Sequence, residues 1–261
     1  MKPFSSLNET KKTTIITMKR LLLKHYAVAG LLLPLALPGA EVGVFSESFE
    51  TDGLDTRYTV ENGSDDDGSD FFARRQIGSP GLTPSGGTVD GDFVWGARDI
   101  DGEGVPVGEL EDDEARITWT DTIDITGLGN LRIDMAAAAG GAEVEFDNAL
   151  EIQVKIDDGE FRTIGGFRGV FTNSWARYFA GDETTLPPLD NPQLSTTFDD
   201  FSWDLSGFGD TLQIRIKINA NGSTEEYAFD NLRVSGDDAA VQVSMAMDAA
   251  SYPENAGTGG A

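Results

Sequence analysis

Between Ala97 and Glu111 the chain reads ARDIDGEGVPVGELE, a stretch whose residue types and spacing suit metal chemistry. Asp99, Asp101 and Glu103 offer carboxylates at alternate positions, and Gly102 and Gly104 permit a tight turn. Calcium, which takes about six to eight oxygen ligands in flexible geometry, fits such a loop. It is not an EF-hand, because the position where that motif places its bidentate glutamate is Leu110, flanked by Glu109 and Glu111. The same acids also suit a solvated surface of Asp-Gly turns. Asp65, Asp66, Asp67 and Asp70 form the densest acidic run and read as a loop.

Trp175 and Tyr178 are the second group of interest. They lie, with Phe179, in the long connection from Phe167 to Ser195, where aromatic faces can stack on the apolar faces of sugars. Core packing is the alternative for these rings, as it is for Trp95, Trp119 and Trp203.

Several chemistries are excluded. The 261 residues contain no cysteine, so disulfides, thiolate metal sites and thiol nucleophiles are absent. The one histidine, His25, falls in an apolar N-terminal stretch expected to be removed, which takes away Ser-His-Asp catalysis and histidine-ligated metals. With 45 acidic against 19 basic residues the formal charge is −26, the opposite of the basic face that direct nucleic-acid binding requires. Carboxylate pairs can hydrolyse glycosides, but so many acids make any one pair uninformative. The chain therefore reads as a non-enzyme.

Residues 18–40 have the layout of a secretory signal peptide: Lys19, Arg20 and Lys24, then an apolar run from Ala27 to Leu37, ending near Gly39-Ala40. The run is shorter than the roughly 20 apolar residues of a membrane span, and Pro34 and Pro38 interrupt it. Cleavage is expected after Ala40, although Pro38 matches an A-x-A site poorly, and Met18 is a candidate start. The product would be extracellular or on the cell surface, with no transmembrane span. Residues 41–261 keep 13 basic and 44 acidic side chains, and Lys155 and Lys217 are their only lysines.

The elements that must position these residues are strands. Leu212, Ile214, Ile216 and Ile218 alternate with Gln213, Arg215, Lys217 and Asn219, and Leu150, Ile152, Val154 and Ile156 alternate with polar residues before the Asp158-Gly159 turn. Lys155 and Lys217 thus face outward, which argues against a serine-lysine dyad. Further strands are expected over 44–50, 70–75, 92–98, 115–122, 131–136, 198–205 and 227–235. Met135 to Ala139 alone has helical composition, and Gly140-Gly141 would end it after one turn. These patterns predict an all-β antiparallel sandwich over 41–236.

The flanking motifs Phe45-Ser-Glu-Ser-Phe-Glu-Thr-Asp-Gly53 and Tyr227-Ala-Phe-Asp-Asn-Leu-Arg-Val-Ser-Gly236 carry a resemblance. With Arg57-Tyr58-Thr59, Ser64 to Phe72, Ala97 to Gly104, Ile123 to Gly127 and Thr196 to Phe198 in order between them, the chain resembles a galactose-binding-like jelly-roll module of secreted bacterial multidomain proteins. It departs from that module around Ala136 to Ala149, where an acidic loop gives way to alanines, glycines, Glu143, Glu145 and Asp147. The resemblance implies a structural calcium joining the first strand to the last, held by Glu50 or Asp52 together with Asp230. It also implies a non-catalytic binding or adhesion role toward an extracellular polysaccharide or surface protein. The alternative is an accessory domain of an extracellular, nuclease-type hydrolase whose active site lies beyond residue 261. Residues 237–261 read as a linker and the first strand of a truncated domain resembling a Calx-beta repeat, with Glu254 at its calcium-ligand position.

Overall fold

The computed structural model describes residues 39–63, 65–66, 70–100, 114–140, 144–145, 148–170, 175–181, 186–205, 207 and 209–238. The expected leader up to residue 38 and the tail from 239, with Glu254, lie outside them. Fourteen strands run through the described residues: β1 Glu41–Glu47, β2 Tyr58–Glu61, β3 Asp65–Asp66, β4 Asp70–Gln76, β5 Phe93–Arg98, β6 Glu114–Trp119, β7 Ile123–Asp124, β8 Leu128–Ala139, β9 Ala149–Ile156, β10 Arg162–Arg168, β11 Arg177–Ala180, β12 Asp199–Asp204, β13 Thr211–Asn219 and β14 Glu226–Asp238. They form two seven-stranded antiparallel sheets, a jelly-roll β-sandwich. No helix among the described residues is long and apolar enough to cross a membrane.

The β13 sheet has the order β11-β10-β9-β13-β6-β2, with β7 also on β13. Its strands follow the expected alternation. Leu212, Ile214, Ile216 and Ile218 of β13, Leu150, Ile152 and Val154 of β9, and Ala115, Ile117 and Trp119 of β6 are buried in the core, and their polar neighbours face outward. The hairpin expected at Asp158-Gly159 is the β9–β10 pair. The long connection from Phe167 to Ser195 contains β11, which adds an edge strand beside β10.

The β14 sheet has the order β12-β8-β14-β5-β4-β3, and β1 pairs with the second half of β14, Glu41 opposite Asp237 and Glu47 opposite Leu232. Here the expected helical turn at Met135 to Ala139 is instead the end of β8. Met135, Ala137 and Ala139 face the core, whereas Ala136 and Ala138 face outward into a second apolar cluster with Ala228, Phe71, Val94, Phe198 and Leu82. Leu82, Ile77 and Val89 of that cluster lie in the β4–β5 connection, so small side chains let this connection lie on the sheet. Tertiary packing on both faces overrides the helical preference of alanine.

Candidate functional site

The β4–β5 connection ends against two carboxylates that are 180 residues apart in sequence but adjacent in the fold. After β1 the chain turns at Phe49 (φ 56°), and the Glu50 side chain accepts hydrogen bonds from the backbone N–H groups of Asp92 (2.9 Å) and Phe93 (2.7 Å). Arg74 holds this turn by donating to the carbonyls of Phe49 and Glu50. Gly91 lies flat under the Glu50 carboxylate at φ 87°, where a Cβ would sit 2.2 Å from the carboxyl carbon. On the other side, a β-bulge after Asp230, with Asn231 at φ 55°, turns Asp230 under the same connection. Asp230 Oδ2 accepts the Asp90 N–H at 2.8 Å.

Four acids are buried among the described residues, and three are satisfied. Glu47 accepts the Phe49 N–H and pairs with Arg57 at 2.9 Å, Glu225 accepts the Asn221 N–H, and Glu226 accepts the Thr83 N–H. Asp230 differs: its residue exposure is 0%, and its Oδ1 is buried without a hydrogen-bond partner. Burial pushes its carboxyl up to about 7; the N–H groups of Asp90 and Asn231 oppose this, and the charges of Asp90 and Glu50 add to it. An acid so placed is stabilised by a proton or by a cation. Glu50 and Asp90 are exposed, leaving the edge of the site open to solvent. Among the described residues no three acidic side chains converge to hold a metal. A calcium ion held by Asp230 and Glu50 would therefore draw its remaining oxygens from backbone carbonyls and water, a donor set that calcium accepts.

The other expected site residues are dispersed. Asp52 caps its own turn, accepting the Leu54 N–H at 3.0 Å. Asp99 follows β5 at φ 49°, and Asp101 and Glu103 lie outside the described residues. Trp175 is half-buried against the core. Tyr178 stacks on Trp203 at 5.3 Å and 22°, and its hydroxyl donates to the Ser202 carbonyl, so Trp203 covers one face of its ring. Trp95, Trp119 and Trp203 are core residues.

A third arrangement did not stand out in the sequence. On the outward face of the β13 sheet, Arg215 donates to Gln153 at 2.7 Å, and the Gln153 amide donates to Glu151 and Thr163. Glu151 also pairs with Arg168 at 3.0 Å, and Lys217 reaches Glu114 at 2.7 Å and Glu151 at 3.8 Å. Arg215 lies over the Phe161 ring and Arg168 over that of Phe179. The alternation of β9 and β13 already marked these residues as outward, but only the strand order brings them together.

Fold and site together define a jelly-roll sandwich with one face covered by its own chain and one open polar face. No protein-family model matches the chain, and no curated protein does. Similar solved structures include a Stig cyclase from Fischerella sp. TAU, at 13% identity and TM-score 0.41 over 77% of this chain and 100% of that one. A CBM22 xylan-binding domain from Paenibacillus barcinonensis has 9% identity and TM-score 0.36 over 77% and 99%. A cleaved adhesin domain of Lys-gingipain from Porphyromonas gingivalis has 16% identity and TM-score 0.39 over 75% and 98%. The likenesses are distant.

Proposed function

We propose that the chain is a secreted, calcium-stabilised, non-catalytic binding module with an extracellular polysaccharide as its ligand. The observation that carries the calcium reading is the unpartnered, buried Oδ1 of Asp230 beneath a connection also held by Glu50. Leaving a buried carboxylate oxygen unpaired is costly, and a divalent cation shared with Glu50 offsets that cost while tying the exit of β1 to β14. The polysaccharide reading draws support from the open face of the β13 sheet. There the half-buried hydroxyl of Thr163 and guanidinium of Arg215 share the outward face with the buried amide of Gln153, and hydroxyl and guanidinium groups hydrogen-bond sugar hydroxyls.

The test is thermal unfolding of the chain in calcium and in chelator near neutral pH, with glycan binding measured in calcium. A lower midpoint in chelator and retention by at least one polysaccharide are expected. An unchanged midpoint would remove the calcium part, and turnover of a bound glycan would remove the non-catalytic part.

A further inference from the structure

The charge of the chain is unevenly distributed between the sheets. Strands of the β14 sheet carry 13 acidic and 5 basic residues, as expected of a chain at −26, whereas those of the β13 sheet carry 4 acidic and 7 basic. Both lysines of residues 41–261 are on the β13 sheet. By ladder register, Arg116, Lys155, Arg168, Arg177, Arg215 and Lys217 share its outward face with the acids Glu61, Glu114, Asp124 and Glu151, which leaves the face net positive. The face is thus a positive island on an acidic protein.

Its edge carries an unusual pair. Arg168 and Arg177 are direct partners in the β10–β11 ladder, and like charges directly opposite destabilise a sheet. Arg168 is answered by Glu151. Arg177 donates through one terminal nitrogen to the Asn191 carbonyl, its Nε is buried without a hydrogen-bond partner, and no carboxylate among the described residues pairs with it. A guanidinium left without an acid, in a chain with 45 of them, suits an anion supplied from outside. Further along the same face, the half-buried Thr163 hydroxyl can exchange hydrogen bonds with sugar hydroxyls.

We propose that this face binds an acidic polysaccharide, with a carboxylate or sulfate of one sugar seated at Arg177 beside Arg168. The proposal rests on the binding-module reading and names the ligand class of the open face. Charge complementarity favours a glycan over a nucleic acid. Duplex DNA carries about one charge per 1.7 Å and would meet the acidic remainder of the molecule, whereas an acidic glycan spaces its charges by whole sugar rings. At physiological salt, screening over about 8 Å lets the local island act without the distant acids.

The test is affinity electrophoresis and calorimetry of the full chain with hyaluronan for carboxylate, dextran sulfate for sulfate, neutral xylan and a DNA duplex. Binding to hyaluronan or dextran sulfate, weakened by salt and weakened about tenfold by Arg177→Gln at unchanged melting temperature, is expected. Arg177→Lys, which keeps the charge but loses the fork, should fall between the two. Xylan or DNA held as tightly as the acidic glycans, or binding indifferent to Arg177→Gln, would overturn the proposal. Binding to xylan alone would overturn it and leave the binding-module reading standing; binding to no glycan would end both.

Discussion

The two sheets share one core but treat their outward faces in opposite ways. On the β14 sheet, part of the outward face is a second interior: alanines at 136, 138 and 228 admit the β4–β5 connection, which buries Asp230 beneath it. On the β13 sheet the outward face stays polar, and its charges are held by one another through Glu151, Gln153, Arg215 and Lys217. A charge covered by chain needs a partner and so becomes a stability element, whereas a charge on an open network can exchange partners with a ligand.

The largest expected effect separates the covered face from the open one by pH. The Asp230 carboxyl titrates at about 7 when folded against 3.8 ordinarily, so the folded state holds the extra proton between those values. The metal-free protein should therefore lose stability as pH rises from about 4 to about 7, by up to about 4 kcal/mol. Calcium bound at Asp230 would replace the proton, so the penalty for chelation should grow over the same interval. Asp230→Asn should abolish the response to calcium and remove its own part of the pH slope, leaving that of Glu225 and Glu226, whose carboxyls burial also raises, as read by urea denaturation at each pH. A calcium response that survives in Asp230→Asn would place the ion elsewhere.

Gly91→Ala comes next. It forces a side chain into a left-handed backbone against the Glu50 carboxylate and should cost about 1–3 kcal/mol with weaker calcium stabilisation, while glycan binding on the other sheet is unchanged. Glu151→Gln should do the reverse: about 1 kcal/mol or less in stability, no change in the calcium response and altered glycan affinity. Tyr178→Phe should act on stability alone: it removes the hydroxyl bond to the Ser202 carbonyl but keeps the stack on Trp203, at a cost of about 0.5–1.5 kcal/mol by thermal melt.

How much of this was legible depended on which neighbours a residue needs. β9 and β13 are half-buried strands whose alternation is complete in one segment, so both their existence and their facing follow from sequence. β8 misleads at Met135 to Ala139 because its alanines answer to a connection some fifty residues earlier that lies on them. β11 is four residues between loop signals and owes its strand state to β10. At the site, Glu50 and Asp230 came from a resemblance and not from spacing, since a separation of 180 residues contains no local signal. Asp52, the alternative to Glu50 that the resemblance implies, folds back on Leu54. The positive face was invisible because its residues come from β6, β9, β10, β11 and β13, and charge segregation appears only when strands are ordered into sheets.

The pairing of Glu41 with Asp237 also has a mechanical meaning. The chain enters the sandwich on β1 and leaves it on β14 side by side, so tension between flanking segments would peel those strands apart one hydrogen bond after another instead of shearing them together. Such a joint yields at low force until the opening reaches Glu50 and Asp230. An ion shared by those two residues would act as a stop, making the force needed to open this sandwich depend on calcium.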